Sequence, residues 1–581
     1  MKARKSTLAI LAVAAVTVPS LTASTAAWND TEWVHGEALG TDSMICGVDQ
    51  DFDAAASGRF LSGELVGLDL DTVASLKGMD LTLAGGSLTV DPPGAQNLGA
   101  TPPTYAYANP LVLGVIGDVV TLDLTGLGVG LPDGSAGAVN QYARVSGFGD
   151  DTAGAAGLVT NSGAVMVTPT TPDDELPDPA RITLAPLLTG VLGPGVVDAV
   201  DLEVGAVASS SVLDGCEALV SQVWGDGLIS GSTRDYGIAS LGLNVDAPVV
   251  GDLVSTVNAG VGTIGAAVDS LLGSSGLISN AILADLELAL PGVLTTAVTG
   301  NVTLSGLDLP GAVSTLLTTP LTDGVVTVDL QVGTVDVDLD ALLGSLNEQA
   351  PNTELVLNDT VLNPIITRAG ALLDAWTTQI VNALTQELRE ATLTIALSAV
   401  VSAPGVPPLL PGLDVLDVSI GYTGTVGAVL DGTASFAISA EAAGVVSTIN
   451  TLLAALGLPT VDDLITTVNG LSSTLVTSVA NAITTTAVGA ITTLGSQLAT
   501  ATTELVSLLS SIVGALPNVV SLMVNVQPDQ PGAPPGSAYL PGTDSSTPEY
   551  TVSALRIGLV DALGSVAHVL FATSTAGPVS R

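Results

Sequence analysis

Three aspartates at alternate positions, Asp336, Asp338 and Asp340, have the spacing in this chain that most resembles a site. On an extended strand, side chains two apart share a face. Carboxylates placed that way can offer oxygens to Ca²⁺. No loop glycine and terminal glutamate follow at EF-hand spacing, so the competing reading is a polar strand face. The aspartates belong to the cleanest strand pair in the chain. Val326, Val328, Leu330 and Val332 alternate with polar residues, Gly333-Thr334 interrupts, and Val335, Val337 and Leu339 alternate with the aspartates. A period of two predicts one buried and one wet face.

Other chemistry is sparse. Gly260-Val261-Gly262-Thr263-Ile264-Gly265 matches G-x-G-x-x-G, with Asp285 further on. A dinucleotide site needs a strand before that motif and a helix after it, and with 65 glycines a chance match is expected. The two histidines after the start, His35 and His568, stand at opposite ends. A serine triad or a zinc hydrolase centre is therefore not predicted. Asp150-Asp151, Asp173-Asp174 and Asp462-Asp463 are paired acids that an acid-only hydrolase could use. Few tryptophans and tyrosines leave little for a sugar-stacking cleft.

The first residues carry an address. Met1-Lys2-Ala3-Arg4-Lys5 is basic, Leu8 to Val18 is apolar, and Ser24-Thr25-Ala26-Ala27 supplies small residues. This is the pattern of a secretory signal peptide over 1–27, with cleavage expected at Ala26 or Ala27. Net charge is −44, from 12 Lys and Arg against 56 Asp and Glu. Charged residues make up 12% of the chain, well below the usual share, so the bases are what is missing. This argues against nucleic acid and against an anionic membrane surface as partners. Residues 464–503 carry no charge, but recurrent Thr, Ser, Asn and Gln argue against a membrane span in the mature chain. Cys46 and Cys216 are the only cysteines, and in an oxidising compartment a bridge between them is expected. The alternative is two buried thiols.

Hydrophobic residues reach 47% while aromatics are 3%, so the core must be Val, Leu, Ala and Ile. The expected class is α+β and β-rich, with antiparallel sheets or sandwich-like layers and amphipathic helices in the C-terminal half. After the signal, the expected divisions are a mainly-β domain at 28–240, a repeated strand–helix region at 241–445 and a helical segment at 446–526. A Pro/Gly-rich linker at 527–549 and C-terminal strands at 550–581 complete them. The strand–helix theme is read at Gly67–Leu76, Gly306–Leu317 and Val337–Leu346, and short strands such as Val119–Leu124 fill the first region. From about Thr474 to Ile512, apolar residues fall three or four apart, which predicts an amphipathic helix with a Thr/Ser outer face.

Thr25-Ala26-Ala27-Trp28-Asn29-Asp30-Thr31-Glu32 resembles the ending of signals cut by the fibre-associated signal peptidase of Gram-positive bacteria. Further segments are similar to the choice-of-anchor G surface proteins of actinobacteria. They are Ala54-Ala55-Ala56-Ser57-Gly58-Arg59-Phe60-Leu61, Ala180-Arg181-Ile182-Thr183-Leu184, Leu202-Glu203-Val204-Gly205-Ala206-Val207-Ala208-Ser209 and Val552-Ser553-Ala554-Leu555-Arg556-Ile557. The resemblance implies a cell-surface protein with an attachment signal after the domain. Leu540-Pro541-Gly542-Thr543-Asp544 is only a near miss for a sortase site, and Gly577-Pro578-Val579-Ser580-Arg581 ends the sequence without an apolar anchor. Release, or retention through a partner, is therefore expected. The resulting expectation is an extracellular structural or adhesive protein without catalytic activity or cofactor, apart from the calcium option. Its partners would be a cell-wall or matrix component, or further copies of itself. A subunit of an extracellular fibre or matrix is the alternative, followed by the acid-only hydrolase.

Overall fold

Short alternating strands broken by glycine and proline pair most readily as antiparallel ladders, and here they form four sheets. The computed structural model describes residues 45–581. Excepted are 66–67, 71–76, 112–128, 131–138, 169–170, 172–175, 178, 193–195, 225–230, 291–294, 405–411, 536, 544 and 561–565. The signal peptide with Ala26 and Ala27, His35, the Val119–Leu124 segment, Asp173-Asp174 and most of the first strand–helix copy lie outside the described residues. Cys46–Arg581 is one compact unit, an α+β fold rich in antiparallel sheet.

The terminal sheet is the centre of the architecture. Its order is Thr353–Leu355, Val520–Val526, Tyr550–Val560, Val566–Ser580, Asp53–Leu65, Met79–Ala84 and Ser87–Asp91, with Leu68–Asp69 paired to Asp53–Leu65. The first long strand and the last thus lie side by side, with Ala56 opposite Ala576 and Gly58 opposite Ser574. Described strands from the expected 28–240 and 550–581 divisions therefore share one sheet. Segment 527–549 holds no long element but is pinned to that sheet, for instance by Thr547 N–H to Val579 O at 2.8 Å.

A six-stranded sheet packs on one face of the terminal sheet, ordered Ser232–Ile238, Val207–Leu213, Thr152–Gly157, Asn140–Ser146, Thr104–Ala108 and Gln96–Asn97. Small side chains set this contact. Strand Thr152–Gly157 reads TAGAAG and is buried throughout. A Cβ on Gly58 would lie 2.1 Å from the Ala155 carbonyl oxygen, and one on Gly154 would lie 2.1 Å from Ser57 O and 2.4 Å from Thr575 O. The sheets touch backbone to backbone, and polar links cross between them: Ser209 Oγ to Ser574 Oγ at 2.9 Å and Ser211 Oγ to Tyr550 O at 2.6 Å. Phe60 and Phe571 fill the adjoining space edge to face, 6.2 Å apart. The Cys46–Cys216 disulfide is present, with a Cα–Cα separation of 5.6 Å. It ties the start of the unit to the helix Gly215–Trp224, which leans on the last strand where Gly215 meets Val579.

The middle of the chain packs differently. A seven-stranded sheet contains the hairpin Val326–Asp329 and Thr334–Asp338, and buries Val326, Val328, Val335 and Val337. Val332 falls in the turn and is exposed. A four-stranded sheet carries Thr295–Ser305, Thr392–Ala403, Leu413–Thr425 and Ala437–Ala442. The helix Asp359–Glu390 lies against the seven-stranded sheet, and Ser472–Val519 packs on both Asp359–Glu390 and Pro248–Leu271. In Asp359–Glu390, Trp376 is fully buried and donates Nε1–H to Leu316 O at 2.8 Å. Ser472–Val519 runs unbroken through a π-helical turn at Thr484–Val488. The turn keeps Ile483, Ala487, Ile491, Leu494 and Leu498 on one buried stripe. Its outer Thr and Ser hydroxyls bond back one turn, as Thr492 does to Val488 O at 3.0 Å, so a poor helix-forming composition satisfies its own side chains.

Replacing Gly154 with alanine should cost about 1–3 kcal/mol by overpacking, because the new methyl meets backbone on both sides. A lowered thermal midpoint is the expected readout, and an unchanged one would contradict the close approach.

Candidate functional site

On the other face of the terminal sheet lies a groove of about 390 Å³. Its floor is built by register. Asp80, Ser57, Thr575 and Thr551 stand opposite one another across four strands, and Arg59, Thr573, Ser553 and Val526 form the next row. Alternation sends Ser574 and Val552 inward, so their neighbours must face the groove. The hydroxyls form a ladder: Thr551 to Thr575 at 2.9 Å, Ser553 to Thr573 at 2.8 Å and Ser62 to Thr573 at 3.2 Å. Arg59 spans one side, 3.1 Å from Asp80. Burial pushes the Glu549 carboxyl above its ordinary range, partly offset by a hydrogen bond at the Leu540 backbone.

The second wall is the 527–549 segment, through Pro528, Ser537 and Ala538. Two anchors hold it. Arg234 makes a two-pronged ion pair with Asp529, its side chain 12% and that of Asp529 6% exposed, and lies 5.7 Å from the Tyr550 ring centre. Asn352, in the left-handed region at φ 58°, donates Nδ2–H to Gln527 O at 2.9 Å and Pro531 O at 3.1 Å, and accepts from Gln527 N–H at 2.8 Å. Asparagine tolerates that conformation better than most residues. Sequence reasoning missed these groove residues. The available signals were Pro351-Asn352 as a turn and the alternating hydroxyls of Thr551/Ser553 and Thr573/Thr575.

The aspartate triplet is corrected in one respect: Asp340 is not on the strand. The strand ends at Asp338, whose carboxylate accepts Ala341 N–H at 3.2 Å, and Asp340 opens the short helix Asp340–Leu343. Asp336 accepts from Asn244 and from Thr334. Cross-strand register instead places Asp336 in line with Asn244 and Asp201, and Asp338 with Gly242 and Glu203. Glu203 is raised by burial, with Asp336 and Asp201 adding to the shift and its partner Arg181 opposing it. Among the described residues, no group of three His, Cys, Asp or Glu side chains is placed to hold a metal ion.

The remaining motifs resolve into structure. Gly260–Gly265 lies deep inside the helix Pro248–Leu271, about three turns beyond the junction with the strand Leu241–Asp246 where a dinucleotide motif would have to stand. Gly260 is there because a Cβ would come within 2.5 Å of the Leu494 side chain. Asp150 accepts from Ser146 at 2.9 Å, Asp151 pairs with Arg144, and Asp463 forms a capping box with Thr460. Arg59, Lys77, Arg144, Arg181, Arg234, Arg368, Arg389 and Arg581 each sit in an ion pair. Arg556 is buried. Helices Pro248–Leu271 and Ser472–Val519 are long and apolar enough to cross a membrane by composition, and each places its apolar stripe in the protein core.

The sequence matches a family described as a domain of unknown function (DUF8394) over residues 56–577. The match begins and ends on the two strands that close the terminal sheet. No curated protein and no solved structure matches the chain.

Arg234→Ala would leave Asp529 buried without its partner, and should cost about 3–5 kcal/mol in denaturant unfolding. Adding Asp529→Ala should recover part of that loss; no recovery would mean that the pair is not coupled. A second expectation concerns pH. Asp151, Glu203 and Glu549 are raised by burial, so the folded state binds their protons more readily than the unfolded chain. Stability then falls as pH rises through their folded values. Half-buried His568 is lowered, by desolvation and then by Arg556, and acts in the opposite sense. Three carboxyls and the weakened self-repulsion of an acidic chain outweigh one imidazole. The thermal midpoint should therefore be higher near about pH 5 than at neutrality, and His568→Gln should widen the difference. A lower midpoint in acid would refute this.

Proposed function

Taking as premise that the chain belongs to the DUF8394 family, we propose that it is a secreted surface protein with a structural or adhesive role and no catalytic activity. The observation that carries this reading is the closure of the fold. Its first and last strands pair inside one sheet, and the Cys46–Cys216 bond reinforces that junction. Pairing of these two strands within one sheet resists fraying of either, which suits life outside the cell, where disulfides persist. Its described cations are engaged in ion pairs or buried, leaving an anionic exterior that favours solubility and disfavours nucleic acid. An acid-only hydrolase is less well supported, because Asp150, Asp151 and Asp463 are committed to local hydrogen bonds or an ion pair.

Fractionation of producing cells combined with electron microscopy tests the proposal. The protein should partition with the cell surface or with surface-attached material. Recovery only as a soluble monomer in the medium, or turnover of glycoside substrates by the pure protein, would count decisively against it.

A further inference from the structure

The groove on the terminal sheet has the features of a binding site, and its chemistry restricts the ligand. Its volume lies within the usual range of small-molecule sites. The strands of its floor are hydrogen-bonded on both sides, so an extended peptide cannot add to them as a further strand. A ligand must therefore meet side chains. Those of the floor open to it are Thr551, Thr573 and Thr575, each with a hydroxyl that donates one hydrogen bond and accepts two, while buried Ser553 holds Thr573 in place. The ladder bonds at 2.8–2.9 Å use only part of that capacity. Leu570 adds apolar surface beside the hydroxyls.

Charge narrows the choice. Arg59 is held by Asp80, so an anionic ligand meets a compensated cation inside a molecule of net charge −44. A cationic ligand finds the same compensated pair, and the one further carboxyl of the described lining, Glu549, is favoured in its neutral form by burial. The matching chemistry is uncharged, rich in hydroxyls that both donate and accept, and apolar on its ring faces. We propose that the groove binds an uncharged saccharide segment, held by the hydroxyl ladder and bounded by the 527–549 wall. No aromatic ring is found among its described lining residues. The stacking term that strengthens many sugar sites is therefore absent, and single-site affinity is weak. Display of many copies on a surface would compensate through avidity. This deepens the adhesive reading and rests on it for location alone. Binding by pure protein is measured independently of where cells place it, so the two failures are distinguishable.

The test is titration of the purified full chain, by calorimetry and saturation-transfer NMR, with maltotetraose, cellotetraose and tetra-N-acetylchitotetraose. Tetragalacturonate and a neutral Gly/Ser decapeptide serve as comparators. At least one neutral tetrasaccharide should bind in the millimolar range. Thr551→Val with Thr573→Val should weaken it about tenfold, while Thr303→Val on the distant four-stranded sheet should leave it unchanged. Should the double variant fold poorly, Ala538→Leu narrows the groove from its exposed wall without touching the sheet, and should weaken binding likewise. The proposal is overturned if none of the three neutral sugars binds, if both groove variants bind as wild type, or if only the galacturonate or the peptide binds.

Discussion

Antiparallel pairing between Asp53–Leu65 and Val566–Ser580 is the constraint on which the rest depends. It brings together residues separated by more than five hundred positions, as the Ser62–Thr573 contact illustrates. The interior of the terminal sheet cannot form until the last strand is available, so the sandwich must be completed late. Contacts of such long range make folding slow. The disulfide reinforces the same closure, joining Cys46 to a helix that leans on the last strand. The groove depends on it as well, because its floor is the outer face of the strands so joined.

Two packing regimes coexist in the molecule. In the sandwich, glycine, alanine and serine let backbones touch, and hydrogen bonds such as Ser209 to Ser574 replace apolar bulk. In the middle, Leu, Ile and Val stripes on long helices supply conventional hydrophobic burial. Scarcity of aromatics becomes intelligible in this light: a backbone-to-backbone interface has no room for rings, and Phe60 and Phe571 sit beside it. The helical layer reaches its own close approach through Gly260 against Leu494.

Electrostatics follows the same economy of position. With so few bases, each described one is either a partner to a carboxylate or buried, and the Arg234–Asp529 pair holds the wall that gives the groove its depth. The excess acids face outward or lie half-buried in rows such as Asp201, Asn244 and Asp336. Burial raises Glu203, with the charges of nearby Asp336 and Asp201 adding to the shift, and this ties stability to pH.

Local pattern alone determined a good deal. Alternation over Val326–Leu339 announced a hairpin with a buried valine face, and the stripe from Val476 to Ile512 announced the long helix. The two cysteines announced their bridge. These are short-range properties, readable because a strand repeats every two residues and a helix every 3.6. Strand length was less legible: Asp340 continues the alternation in sequence, yet the strand stops at Asp338, whose carboxylate accepts the Ala341 N–H, and Asp340 begins a helix. What only the tertiary structure decided was partnership. Nothing local in Thr551, Thr573 or Ser57 says that they stand in one row, because cross-strand register is set by long-range pairing and not by spacing along the chain. The groove, its ion-paired wall and the meeting of the two ends exist only once that register is formed.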